Sequence, residues 1–192
     1  TKESRIITTR NIITRAKTIM PYLKYDEEPY MVVTDEGKLV WVLDAYTTSN
    51  DYPYSQETII EYGGLKEKIN YIRNSVKVII DAYTGDVTFY RTDKTDPIAM
   101  VYEKIYPDLF SKEEIPEQIS DHFVYPEYLY NIQAKVLKRY HNIQPDVLYR
   151  GDDVWDIATH NASSKVSSTK GIEINPYYTM VVAESRYPAD GR

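Results

Sequence analysis

Hydrophobic residues recur along this chain with two different periods. Thr8 to Met20 (TTRNIITRAKTIM) places Ile12, Ala16 and Ile19 at helical spacing, with Thr available as a cap and Pro21 as a stop, which predicts a helix of about three turns. The period then shortens. Tyr30 to Thr34 and Lys38 to Leu43 flank Asp35-Glu36-Gly37, whose glycine supplies the positive φ of a tight hairpin. Val76 to Asp81 runs through Tyr-Thr-Gly-Asp into Val87 to Arg91, a second hairpin. Helical spacing returns at Asp96-Pro97, an N-cap followed by an N1 proline, with Ile98, Val101, Tyr102 and Ile105 on one face and Pro107 at the end. Pro126 opens a longer helix with Leu129, Ile132, Val136 and Tyr140 in a stripe and Lys135, Lys138 and Arg139 near its C-terminal end, where cations suit the dipole. Asn161 to Gly171 (NASSKVSSTKG) is expected to be a flexible loop, and Asn175 to Ala183 a last strand.

These elements predict an α+β fold, an antiparallel or mixed sheet built from hairpins and covered by amphipathic helices. Leu39 to Leu43 and Val76 to Ile80 are apolar on both faces, so they belong together at the centre of one sheet. Helices then cover one side and further protein the other.

The string Asp-Ala-Tyr-Thr occurs twice, at 44–47 and 81–84. The first is expected to end the second strand of its hairpin, the second to build the turn itself. Aspartate at a strand end accepts hydrogen bonds from following amides, so both Asp44 and Asp81 are read as turn caps with depressed carboxyl pKa values. The alternative brings them together as a paired acid and base, as glycoside hydrolysis requires.

Composition narrows the function. Of the aromatics, 20 are Tyr against 3 Phe and 2 Trp, which suits packing at the boundary of core and water or a sugar- or peptide-binding face. A net charge of −6 with interspersed signs argues against a nucleic-acid surface. The absence of cysteine removes thiol chemistry and thiolate metal sites. His122, His141 and His160 stand at no metal-pair spacing, and Gly63-Gly64 is not a phosphate loop. Asp152, Asp153 and Asp156 read as a solvated acidic loop, and so do Asp26, Glu27 and Glu28. Candidate ligand contacts are the residues around the two repeated strings, Asp44, Tyr46, Tyr52, Tyr54, Asp81 and Tyr83. No catalytic residue, metal ligand or cofactor is assigned.

No apolar run approaches the ~20 residues of a membrane helix. The chain lacks an initial Met and a signal segment, so it is expected to be a piece of a longer product. The strings YDEEPY (25–30), LVWVLDAYTTSNDYPYS (39–55), NYIRNSVKVIIDAYTGDVTFY (70–90), DPIAMVYEKIYPDLF (96–110), YPEYLYNIQAKVLKRYH (125–141), VWDI (154–157) and PYYT (176–179) resemble uncharacterised protein family 0182, large prokaryotic multi-pass membrane proteins with an extracytoplasmic region. The resemblance implies that residues 1–192 are a soluble extracytoplasmic domain or segment of such a protein, at the cell membrane. Its implied partners are the membrane-spanning part of its own full-length protein and an envelope protein or peptide, with no nucleic acid. VIIDAYTGDVTFY by itself resembles the terminal hairpin of PepSY modules, which implies peptidase regulation. The expected role is therefore a non-catalytic binding or assembly module, with an envelope hydrolase and a PepSY-like regulator as alternatives.

Overall fold

The computed structural model describes residues 9–160 and 172–179; the expected loop at 161–171 lies outside them. The chain forms two compact units that divide at Val136/Leu137.

In the first unit, α1 (Ile12–Ile19) is capped by Asn11, whose side chain accepts from the Thr14 amide at 2.8 Å, rather than by the expected threonine. A short β1 (Lys24–Tyr25) and β2 (Tyr30–Val33) both pair antiparallel with β3 (Leu39–Ser49). A separate hairpin follows, β4 (Thr58–Tyr62) and β5 (Leu65–Ile69), turned at Gly63 and Gly64 with φ of 58° and 74°. Two successive left-handed residues are what a two-residue hairpin turn demands. The chain returns as β6 (Tyr71–Asp81), antiparallel to β3, and β7 (Val87–Arg91) pairs with β6. Leu39–Leu43 and Val76–Ile80 are thus neighbours in one antiparallel sheet, and the α+β reading holds.

One face of this sheet presents Leu43, Ala45, Val76, Val78, Ile80 and Phe89 to Ala16 of α1 and to Met20 at its C-cap. Tyr102 of α2 (Pro97–Ile105) packs on the same cluster. The other face presents Val40, Val42 and Ile79 to Ile119 of α3 (Glu117–Ser120). A third cluster joins Ile60 and Ile69 of the small hairpin to Ile132 of α4 (Glu127–Tyr140). The stripe Leu129, Ile132, Val136 was expected against the central sheet. Leu129 and Ile132 are buried and Val136 half-buried, and the cluster around Ile132 takes in Ile72 of β6 as well as the β4–β5 hairpin.

The first DAYT string does not end a strand. β3 continues through it to Ser49, and Ala45, Tyr46 and Thr47 are fully buried. Burying a large side chain stabilises by about 1.5–3 kcal/mol, more than the roughly 1 kcal/mol of one capping hydrogen bond, so the strand wins over the turn. A bulge accompanies it: Ala45 pairs with Val76 but Thr47 with Arg73, leaving one extra residue in β6. The second string forms the expected turn.

The second unit holds the end of α4, then α5 (Pro145–Arg150), which stops at a left-handed Gly151. β8 (Thr159–His160) pairs with β9 (Ile172–Glu173). His141 stacks on Trp155 with centroids 4.0 Å apart, and the Trp155 amide donates to the Lys138 carbonyl at 3.1 Å. The expected last strand is absent over residues 174–179, and 180–183 lie outside the described residues.

Candidate functional site

Asp26 follows directly on β1, and its place in the sheet decides its environment. Its amide donates to the Asp44 carbonyl at 2.9 Å, which draws the loop in beside β3. The side chain is only 7% exposed, and its two oxygens accept from the Tyr46 hydroxyl and from the Glu28 amide at 2.9 Å. The YDEEP segment is therefore no solvated acidic loop. Glu27 and Glu28 are exposed, but Asp26 is a fixed, buried acceptor.

The surroundings form a cavity of about 210 Å³. Tyr25 and the three acidic residues after it make one wall, Glu61 and Tyr62 of β4 a second, and Glu127, Tyr128 and Asn131 of α4 the third. Five carboxylates and three phenol rings thus converge from segments far apart in sequence. The rings brace one another: Tyr128 lies 5.7 Å from Tyr46 and 6.2 Å from Tyr62, and the Tyr62 hydroxyl accepts from the Tyr25 amide at 2.9 Å. The Tyr25 hydroxyl points the opposite way, donating to the Met20 carbonyl at 2.6 Å at the end of α1.

Burial pushes the Tyr128 phenol up to about 12, with Tyr62, Glu67, Glu27 and Asp26 adding to the effect. Tyr46 is also raised, by burial first and then by its bond to Asp26. Both are neutral donors at physiological pH. The Tyr128 hydroxyl is buried and has no hydrogen-bond partner among the described residues. Lys24 places its ammonium 4.6 Å from the centroid of the Tyr62 ring, while its charge is matched by Glu67 at 2.5 Å.

The six residues singled out from the sequence lie in four places. Tyr46 stands behind this cavity and holds Asp26 in position. Asp44 is 5% exposed and bonded to Lys77 and Asn74, so it is one half of a buried ion pair and no turn cap. Burial raises its carboxyl pKa, Lys77 opposes that, and the net direction is up, opposite to the expected depression. Asp81 behaves as expected, accepting from the Tyr83 and Thr84 amides at 2.7 Å each, which hold its pKa below the usual range. Asp81 pairs with Val40, four residues along β3 from Asp44, so the two carboxylates are separated by roughly 13 Å of strand. They share no pocket.

Tyr83 is exposed at the turn of the β6–β7 hairpin. Tyr52 stacks on Tyr71 at 4.8 Å, and Tyr54 is fully exposed with a left-handed φ of 60°. Sequence reasoning missed Glu61, Tyr62, Glu127, Tyr128 and Asn131 because no spacing links them. The one local signal was Tyr25 beside three acidic residues.

No helix among the described residues is long and apolar enough to cross a membrane. No solved structure matches the chain at a significant level. It is 48% identical over 178 residues to a UPF0182 protein of Caldicellulosiruptor saccharolyticus, covering 93% of this chain and 18% of the relative. A UPF0182 protein of Clostridium tetani is 47% identical over 181 residues, 94% of this chain and 19% of the relative. One from Clostridium botulinum strain Hall is 50% identical over 158 residues, 82% and 17%. The chain spans less than a fifth of the length of these curated relatives. The model of Uncharacterised protein family (UPF0182) matches residues 1–188, and the chain belongs to that family.

Proposed function

We propose that the chain is a non-catalytic extracytoplasmic binding or assembly module of a longer integral membrane protein, and that the pocket at Asp26 is its binding site. The observation that carries the reading is the pocket itself, in which a buried, doubly bonded carboxylate just after β1 stands beside mutually braced tyrosines of β4 and α4. Glu61, Tyr62, Glu127, Tyr128 and Asn131 stand on β4 and α4, and such elements hold ligand geometry better than loops do. Both oxygens of Asp26 are engaged and Asp44 is matched by Lys77, so neither carboxylate is poised as a free acid or base. The negative walls repel phosphate, which fits a partner other than nucleic acid.

The relatives are several times longer than this chain, which supports the reading of a module within a larger protein. Its partners are the membrane-spanning part of that protein and an envelope protein or peptide. The test places a cysteine at Tyr83, exposed at a turn, in the full-length protein. In intact cells a membrane-impermeant maleimide should label this variant above the level of the parent protein. Labelling only after lysis would overturn the extracytoplasmic placement.

A further inference from the structure

The walls of the Asp26 pocket have a specific chemistry. Carboxylates supply negative potential from three sides, and Tyr62 and Tyr128 supply ring faces, which attract a cation through their quadrupoles. The structure already seats two cations on one of these rings: the Lys24 and Lys17 ammonium groups lie 4.6 and 5.4 Å from the Tyr62 ring centroid. Glu67 matches the Lys24 ammonium at 2.5 Å, and among the described residues none of the five pocket carboxylates stands in an ion pair. The Tyr128 hydroxyl, buried and without a partner among the described residues, is the kind of orphaned group that a bound molecule or water satisfies.

A metal ion is the other cation such a site suggests, but it needs convergent oxygens. Calcium takes about six to eight at 2.3–2.6 Å. Among the described residues, no three carboxylate or imidazole groups are grouped as metal ligands. The carboxylates ring a space of about 210 Å³ instead of closing on a point. Such a space suits a cation that brings its own apolar stem to lie along phenol rings.

We propose that this pocket binds an organic monocation, the ammonium end of an alkyl or lysine-like chain, with the carboxylates facing the head and Tyr62 and Tyr128 facing the stem. The inference rests on reading the pocket as the binding site and assigns the ligand class it takes. A lysine side chain on an envelope peptide carries this chemistry.

The experiment is a ¹H–¹⁵N NMR titration of the chain with n-butylammonium, and separately with n-butanol, butyrate and Ca²⁺. The expected result is saturable shifts at Tyr62, Tyr128 and Asn131 with n-butylammonium alone, weakened by added salt. Glu61→Gln combined with Glu127→Gln, which removes two charges without touching buried Asp26, should weaken binding roughly ten-fold with the remaining spectrum unchanged. If n-butanol or butyrate shifts the same residues as tightly, the pocket stands and the ligand class is wrong. Equal or tighter Ca²⁺ binding there replaces the organic cation with a metal and likewise overturns it. If no probe moves these three residues, the inference falls together with the reading of the pocket.

Discussion

The Tyr71 hydroxyl donates to the Asp96 carboxylate at 2.7 Å, where β6 meets the first turn of α2 and solvent does not reach. Thr47 and Ser75 donate to the other carboxylate oxygen, and the Ile98 amide donates to the same oxygen as Tyr71 at 2.9 Å. One aspartate therefore ties both central strands to α2 while capping it. Asp96→Ala would take the acceptor from the Tyr71 hydroxyl and the Ile98 amide and leave Thr47 and Ser75 only their 3.4 Å contact with each other, and should cost about 3 kcal/mol in urea denaturation. Asp96→Asn keeps an acceptor and should cost less.

The same carboxylate gives a pH signature. Burial pushes its pKa up, but the bonds from Ser75, Thr47, Tyr71 and Ile98 outweigh burial and leave it below the usual range. A depressed folded pKa gives stability that is present above the unfolded value, about 3.9, and lost as pH falls through the folded one. Stability of the parent should thus drop below about pH 4. Asp96→Asn should flatten that part of the profile, and an unchanged slope would show that other carboxylates set it.

Asp44 and Lys77 form a buried pair, with the Lys77 ammonium also 4.7 Å from the Phe123 ring centroid. Removing one partner strands the other charge, so Asp44→Ala should cost about 3–5 kcal/mol. Asp44→Leu with Lys77→Met should recover most of that loss. Asp81→Asn, at an exposed turn where an amide oxygen still caps, should change stability by less than about 1 kcal/mol. Equal costs at the two aspartates would contradict their different environments.

Gly85 has φ of 73°, and Arg15 of α1 donates to its carbonyl and, at 2.7 Å, to that of Thr9. A methyl group at Gly85 would stand 1.9 Å from the Arg15 guanidinium. Gly85→Ala should lose about 1–2 kcal/mol from the backbone alone, and more from displacing Arg15. Adding Arg15→Ser should recover the steric part, visible as a partial return of Tm.

Tyr54 holds a left-handed φ because Asn70 pins the loop around it. The Asn70 side chain accepts from the Tyr52 amide at 2.9 Å and donates to the Tyr52 carbonyl at 2.8 Å, and the Ser55 hydroxyl donates to the Asn70 backbone carbonyl at 2.8 Å. Tyr54→Asn, a residue that tolerates this conformation, should stabilise by about 0.5–1 kcal/mol. Asn70→Ala should free the loop, and limited proteolysis at 52–55 would detect it.

The sheet was legible because it rests on local signals: the runs of β3 and β6 that are apolar on both faces, Gly37 in the first hairpin and the Asp96-Pro97 cap. The helix α3 on its second face was not. Tyr46 was misplaced because its fate depends on Asp26 and Tyr128, which no window around residue 46 contains. The β4–β5 hairpin announced itself through Gly63-Gly64, but that pair was weighed only as a phosphate loop. Its strand TIIEY faces a partner, LKEKI, with one apolar residue at either end, too weak an alternation to stand out. The pocket was illegible because Asp26, Glu61 and Glu127 meet only after the sheet, the hairpin and α4 have come together.

The β4–β5 hairpin also governs how the central pairing is reached. Ser49 pairs with Tyr71, and the chain between them contains the hairpin closed on itself at Gly63-Gly64. β3 and β6 are therefore the arms of one long hairpin tipped by a smaller one. Once the tip has formed, the loop left to close is short, and loop-closure entropy falls accordingly. The two longest strands can zip from Ser49–Tyr71 toward Leu39–Asp81 with each pair prepared by the last. The centre of the sheet is thereby a local structure in folding terms, and lengthening the Gly63-Gly64 turn should slow refolding more than it changes equilibrium stability.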